Sequence, residues 1–112
     1  MQKTELKFNS QICTTKIQSQ RLLDLGLKPE TADMAHQYIE AEWKWFISPC
    51  DWNRCTMSEE LIPAWSLHRL MEILDSSLVE FNFLSYNPYE EIIYNVSECI
   101  KNGYINKEYL KQ

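Results

Sequence analysis

ADMAHQYIEAEWKWFISP, residues 32–49, decides whether this chain is all-helical or mixed. Its first part is open. Ala32, Ala35, Ile39 and Trp43 fall at near-helical spacing, yet residues 32–43 fit an extended run as well. Its second part favours a strand. Trp43, Trp45 and Ile47 alternate with Lys44 and Phe46, and aromatic or β-branched residues in alternation suit a pleated surface. Trp43 and Trp45 are expected on one strand face, and Pro49 ends the run. CDWNRCTMSEE then reads as a loop, because Asp51, Asn53 and Ser58 favour turns over ladders.

Helices flank this stretch. TTKIQSQRLLDLG starts at a Thr14 or Thr15 N-cap, puts Ile17, Leu22 and Leu25 on one face, and stops at Gly26, where a left-handed C-cap suits glycine. Leu27 is expected to fold back on the last turn, and Pro29 to open a new helical turn. Downstream, IPAWSLHRLMEILD, residues 62–75, reads as one helix with Pro63 in its first turn and Trp65 in the core. LVEFNFLSY, residues 78–86, alternates as a half-buried strand. Asn87 then caps a helix whose apolar face is Ile92, Ile93, Val96, Cys99 and Ile100. Gly103 ends that helix, Tyr104 and Ile105 fold back on it, and residues 106–110 form a short final turn. The strands and helices do not alternate as a parallel sheet requires. The expectation is an α+β fold: a small antiparallel sheet of two or three strands packed on three or four helices. Residues 1–12 are a loose arm or an edge strand.

Composition sets the outer bounds. The chain has 112 residues, 45% of them hydrophobic, which fits one domain with a real core. The aromatic content of 12% is too high for a disordered chain. No apolar run reaches the ~18 residues of a membrane helix, and the N-terminal stretch lacks the apolar run of a signal peptide. A cytoplasmic protein is the expectation. The net charge is −5, but residues 1–28 carry +3, residues 29–60 carry −5 and residues 61–112 carry −3. That balance disfavours nucleic acid, which needs a basic face to displace counterions.

Three blocks carry a resemblance: CTTKIQSQRLLDLGLKPETADM, IPAWSLHRLMEIL and IIYNVSECIKNGYINKEYL. In this order they resemble a family of small uncharacterised proteins encoded by phages, prophages and mobile elements of gut bacteria. The blocks cover about half of the chain. The resemblance implies an accessory factor of such an element. It brings no catalytic, cofactor or ligand residues to carry over. Two features depart from the family: a short stretch between the second and third blocks, and SECI at Ser97 to Ile100 where relatives often have an aromatic-rich motif.

Motifs for chemistry are weak. Cys50 and Cys55 could be half of a zinc site, but zinc wants a second close pair, and Cys13, Cys99, His36 and His68 each stand alone. In a reducing compartment the four cysteines are expected as free thiols. Nothing matches a thiol-protease signature around them. Glu59-Glu60 and Glu90-Glu91 are adjacent pairs that diverge on a helix, so neither converges for acid–base work. Gly26 and Gly103 are the only glycines, which excludes a phosphate loop. TTKIQSQRLLDLGLKPETADM could open a helix–turn–helix, but its second helix, ETADMAHQYIEAEW, would bring Glu30, Asp33, Glu40 and Glu42 to the phosphates.

The tryptophans stand out: Trp43, Trp45, Trp52 and Trp65 in one small chain. Aromatics beside a loop, next to cations, are the usual make-up of binding hot spots. Trp45, Phe46, Trp52 and Arg54 are therefore the candidate partner-binding residues. All four tryptophans could instead be core. The leading expectation is a non-enzymatic protein without a cofactor that acts on a protein partner. The alternatives are a DNA-binding or DNA-mimicking regulator, and a small zinc- or thiol-dependent enzyme.

Overall fold

The computed structural model describes residues 10–74 and 87–111. Within them the fold is α+β. Helix α1 spans Lys16–Asp24, strand β1 Met34–Ile39, β2 Lys44–Pro49, β3 Leu61–Ala64, helix α2 Leu67–Ile73 and helix α3 Pro88–Lys101. Single 3-10 turns lie at Pro29–Thr31, Glu40–Glu42 and Lys107–Tyr109. The expected strand at residues 78–86 lies outside the described residues, as do residues 1–9 of the expected arm.

The ambiguous stretch resolves as a strand. β1 is the centre of an antiparallel sheet in the order β2-β1-β3, so ETADMAHQYIEAEW is not the second helix of a helix–turn–helix. Its apolar spacing fitted both periods, and two neighbours to pair with decided between them. Ala35 faces Ser48 on one side and Pro63 on the other; His36 faces Ile47 and Ile62.

Residues 62–64 correct the long helix expected over 62–75. They belong to β3, and the helix starts only after Ser66, whose Oγ accepts from the Arg69 N–H at 3.1 Å. Pro63 is tolerated here for a local reason. Tyr38 N–H donates to Glu60 O at 2.9 Å, so 38/60 is a hydrogen-bonded pair and 35/63, three steps along, is not. The missing proline N–H thus costs no ladder bond.

The caps follow the sequence closely. Thr15 and Gln18 form a capping box on α1, with Gln18 N to Thr15 Oγ1 at 3.1 Å and Thr15 N to Gln18 Oε1 at 3.0 Å. Gly26, at φ 105°, ends α1: Leu27 N reaches Leu22 O at 3.2 Å and Gly26 N reaches Leu23 O at 3.0 Å. Gly103, at φ 74°, ends α3 in the same way, with Tyr104 N to Cys99 O at 2.8 Å. Leu27 and Ile105 are then buried, whereas Tyr104 is exposed. The C-terminal segment pairs with the turn after α1 through Lys28 N to Tyr109 O at 2.8 Å and Lys111 N to Gly26 O at 2.7 Å.

The core holds Leu22, Leu27, Trp65, Leu70, Leu74, Ile92, Ile93 and Val96, all fully buried. They come from the three helices and the segments joining them. Ile17 is not among them: it is exposed, and the inner face of α1 is Gln18, Ser19 and Leu22. The two polar residues are buried because they are bonded, Ser19 Oγ to Thr14 Oγ1 at 2.8 Å and Gln18 Nε2 to Glu90 Oε1 at 2.9 Å. Thr14 clasps helix and sheet together. Its N–H donates to Trp65 O at 2.8 Å, its Oγ1 accepts from Trp65 N–H at 3.0 Å, and its carbonyl accepts from His36 Nε2 at 2.7 Å.

Candidate functional site

The helices pack on one another and α1 packs on β3, while β1 and β2 chiefly pack on each other. The far end of the β1–β2 hairpin exposes a group of large apolar side chains, Trp43, Trp45 and Ile47. Antiparallel partners share a face. Tyr38 and Trp45 do so, with ring centroids 5.4 Å apart and planes tilted by 52°. Ile47 lies on the same face opposite His36. Lys16, at the start of α1, places its Nζ 4.0 Å from the Trp45 ring centroid, close enough for a cation–π contact. Phe46 lies on the other face, with Lys44 Nζ 5.0 Å from its centroid. β2 is an edge strand, paired only with β1 among the described residues. Lys44 and Pro49 at its two ends are residues that blunt an edge against indiscriminate pairing.

Trp43 terminates the connection between the two strands. It is the one non-glycine residue with positive φ among the described residues, at 54°. It therefore stands outside β2 and does not share a strand face with Trp45, as the alternation had suggested. Its side chain is 78% exposed. Left-handed backbone costs a bulky residue roughly 1–2 kcal/mol, and a large indole in water returns none of it. Trp45 is 37% and Ile47 46% exposed, so the apolar surface continues from the hairpin end down one face of β2.

The four residues singled out from sequence do not form one surface. Trp45 and Phe46 are on opposite faces of β2. Trp52 is buried, with its Nε1–H donating to Met34 O at 2.8 Å. This is a correction: the loop is polar, but this one side chain turns inward and joins the core. Arg54 is exposed and sits 3.6 Å from Asp51 Oδ2. Trp43, Tyr38, Ile47 and Lys16 were missed. The exposure of Trp43 has no signal in the sequence beyond the acidic, strand-breaking EAE before it.

The thiols among the described residues lie in separate surroundings, apart from Cys50 and Cys55. Cys13 is buried, and burial first and Asp33 second push its thiol up to about 11. Burial likewise raises Cys99. His68 is exposed, with Nε2 3.6 Å from Glu72. No three His, Cys, Asp or Glu side chains cluster as a metal ion needs among the described residues. A cleft of about 580 Å³ is lined by Met71, Glu72, Ile73, Tyr104 and Tyr109 among others and contributes a single carboxylate. Cys50 and Cys55 do meet, at 3.3 Å between sulfurs. No helix among the described residues is long and apolar enough to cross a membrane. Comparison with protein-family models, with curated proteins and with solved structures finds no match.

Proposed function

We propose that this protein is a non-enzymatic accessory factor of a phage or mobile element that works in the cytoplasm by binding another protein. The observation that carries the reading is Trp43, held at positive φ on the end of a hairpin and exposed to water. A strained, solvent-facing tryptophan is unfavourable for folding alone, and strain of this kind collects where a binding partner repays it. Trp45 and Ile47 extend the surface, and Tyr38 and Lys16 hold the Trp45 ring in place. Large aromatics of limited rotamer freedom are the residues that dominate protein interfaces. Glu40 and Glu42, next to Trp43, set negative charge beside the indole, which favours a protein surface over phosphate.

The test places a photo-crosslinking amino acid at Ile47, on the face of Trp45, and, as a control, at Arg54, in the otherwise intact chain in cells of the host. The expected result is one cross-linked protein from position 47, lost when Trp43→Ala and Trp45→Ala are added, with the melting temperature kept. Adducts of equal yield from both positions, or adducts indifferent to the two substitutions, would move the partner surface elsewhere. No protein adduct from either position would remove the reading.

A further inference from the structure

We infer that Cys50 and Cys55 form a redox-active dithiol that is oxidised to an intra-loop disulfide by low-molecular-weight disulfides. The two side chains are already in contact, the Cys50 thiol donating to Cys55 Sγ at 3.3 Å. The loop between them is fixed by bonds that do not involve either sulfur. Cys50 N–H donates to Asp33 O at 3.1 Å, Arg54 N–H to Asp51 O at 3.0 Å, and Asn53 N–H to Asp51 Oδ1 at 3.1 Å. Trp52, midway along the loop, is buried and bonded to Met34 O. The chain has thus met most of the entropic cost of bringing the two sulfurs together before any bond forms. Cys50 packs against the core and Cys55 is exposed, so the two thiols differ in access. Among the described residues no third His, Cys, Asp or Glu joins the pair as a metal site needs, and the contact of the two sulfurs suits dithiol chemistry.

Access fixes the order of steps. The Cys55 thiolate attacks one sulfur of a disulfide RS–SR, giving a Cys55–SR mixed disulfide and releasing one RS⁻, which takes up the proton. Cys50, deprotonated by solvent, then attacks Cys55 Sγ, forming the Cys50–Cys55 bond and expelling the second RS⁻. The protein loses two electrons and two protons; the small disulfide gains both and leaves as two thiols. Burial first, and the hydrogen bond with Cys55 second, push the Cys50 thiol up to about 11. The reduced state therefore gains no stabilisation from a Cys50 thiolate at neutral pH, and the disulfide is the better competitor for it. Cys13 and Cys99 are buried apart from the pair and stay reduced.

The experiment equilibrates the full-length reduced protein in glutathione buffers of rising disulfide-to-thiol ratio at pH 8, quenches by acid, alkylates the free thiols in denaturant and maps the peptides by mass. The expected result is loss of two of the four alkylatable thiols and a cross-linked peptide joining Cys50 to Cys55. Cys50→Ser should instead hold one glutathionyl group on Cys55, and Cys55→Ser, a change at an exposed position that leaves the fold intact, should take up none. A wild-type protein that keeps glutathione on Cys55 without resolving it would overturn the proposal. So would four alkylatable thiols at every ratio, or a cross-link involving Cys13 or Cys99.

Discussion

The indole N–H of Trp52 donates to the carbonyl of Met34 across 2.8 Å, and that bond ties the loop after β2 to the first residue of β1. Trp52 is thereby a buttress of the hairpin, while Trp43 is its exposed end. Two tryptophans nine positions apart in sequence have opposite roles, and their substitutions should separate.

Trp52→Ala removes a buried aromatic and the indole donor to the Met34 carbonyl. Loss of a buried tryptophan costs about 3–5 kcal/mol where the site cannot collapse. The expected outcome is a large fall in the urea midpoint. Trp52→Phe keeps most of the apolar contact but not the donor, so it should lose only about 1–2 kcal/mol. A Trp52→Phe variant as stable as the parent would show that the bond to Met34 carries no weight.

Trp43 should behave in the reverse sense. Trp43→Gly relieves the positive-φ penalty at a position whose side chain is in water, so folding stability should hold or rise by up to about 1 kcal/mol. Binding to the partner protein should fall at least tenfold in the same variant. Urea denaturation and titration of the cross-linked partner read the two effects. A clear loss of stability would mean that the indole packs against the fold.

Much of this was legible from residue order, and the failures have physical causes. Both helix ends at Gly26 and Gly103 were readable because a glycine after an apolar period has few other uses. The strand at residues 44–49 was readable because period-2 alternation of aromatic and β-branched residues has no helical counterpart. β1 was not, since Ala35, Ile39 and Trp43 serve a period of 3.6 as well as they serve an irregular strand, and the choice was made by β2 and β3. Pro63 misled because proline suits the first turn of a helix and a non-bonded edge-strand position equally. Trp52 misled because Asp51, Asn53 and Arg54 around it are polar, and only the tertiary position of the Met34 carbonyl explains why one side chain turns inward.

Asp33 is the second tie between sheet and helices. Its Oδ1 accepts from the Ser66 N–H at 2.9 Å and its Oδ2 from the Ser66 Oγ–H at 2.6 Å. Ser66 Oγ in turn accepts from Arg69 N, so one carboxylate orients the N-cap of α2. Asp33→Ala should cost about 2–3 kcal/mol, because two donors lose a charged acceptor. Asp33→Asn keeps one acceptor oxygen and should recover roughly half. Ser66→Ala in the Asp33→Ala background should add less than it does alone, which a double-mutant cycle in urea reads directly.

Glu90 links α3 to α1, and its effect should depend on pH. It accepts from Gln18 Nε2 at 2.9 Å and from Arg21 Nη1 at 2.9 and 3.0 Å. The Gln18 hydrogen bond first, then Arg21, hold its carboxyl below the ordinary 4.5. A carboxyl with a lowered folded pKa stabilises the fold fully above its unfolded pKa, and that stabilisation is lost as pH falls through the lower, folded value. Both Arg21 and Glu90 are almost half exposed, so solvent screening keeps the contribution under about 1 kcal/mol. Glu90→Gln should therefore be slightly less stable than the parent at pH 7, and the gap should close at acid pH, in the window below 4.5. Raising the salt at pH 7 should narrow the same gap. A gap that stays constant from neutral to acid pH would mean that the carboxylate charge is not what joins the two helices.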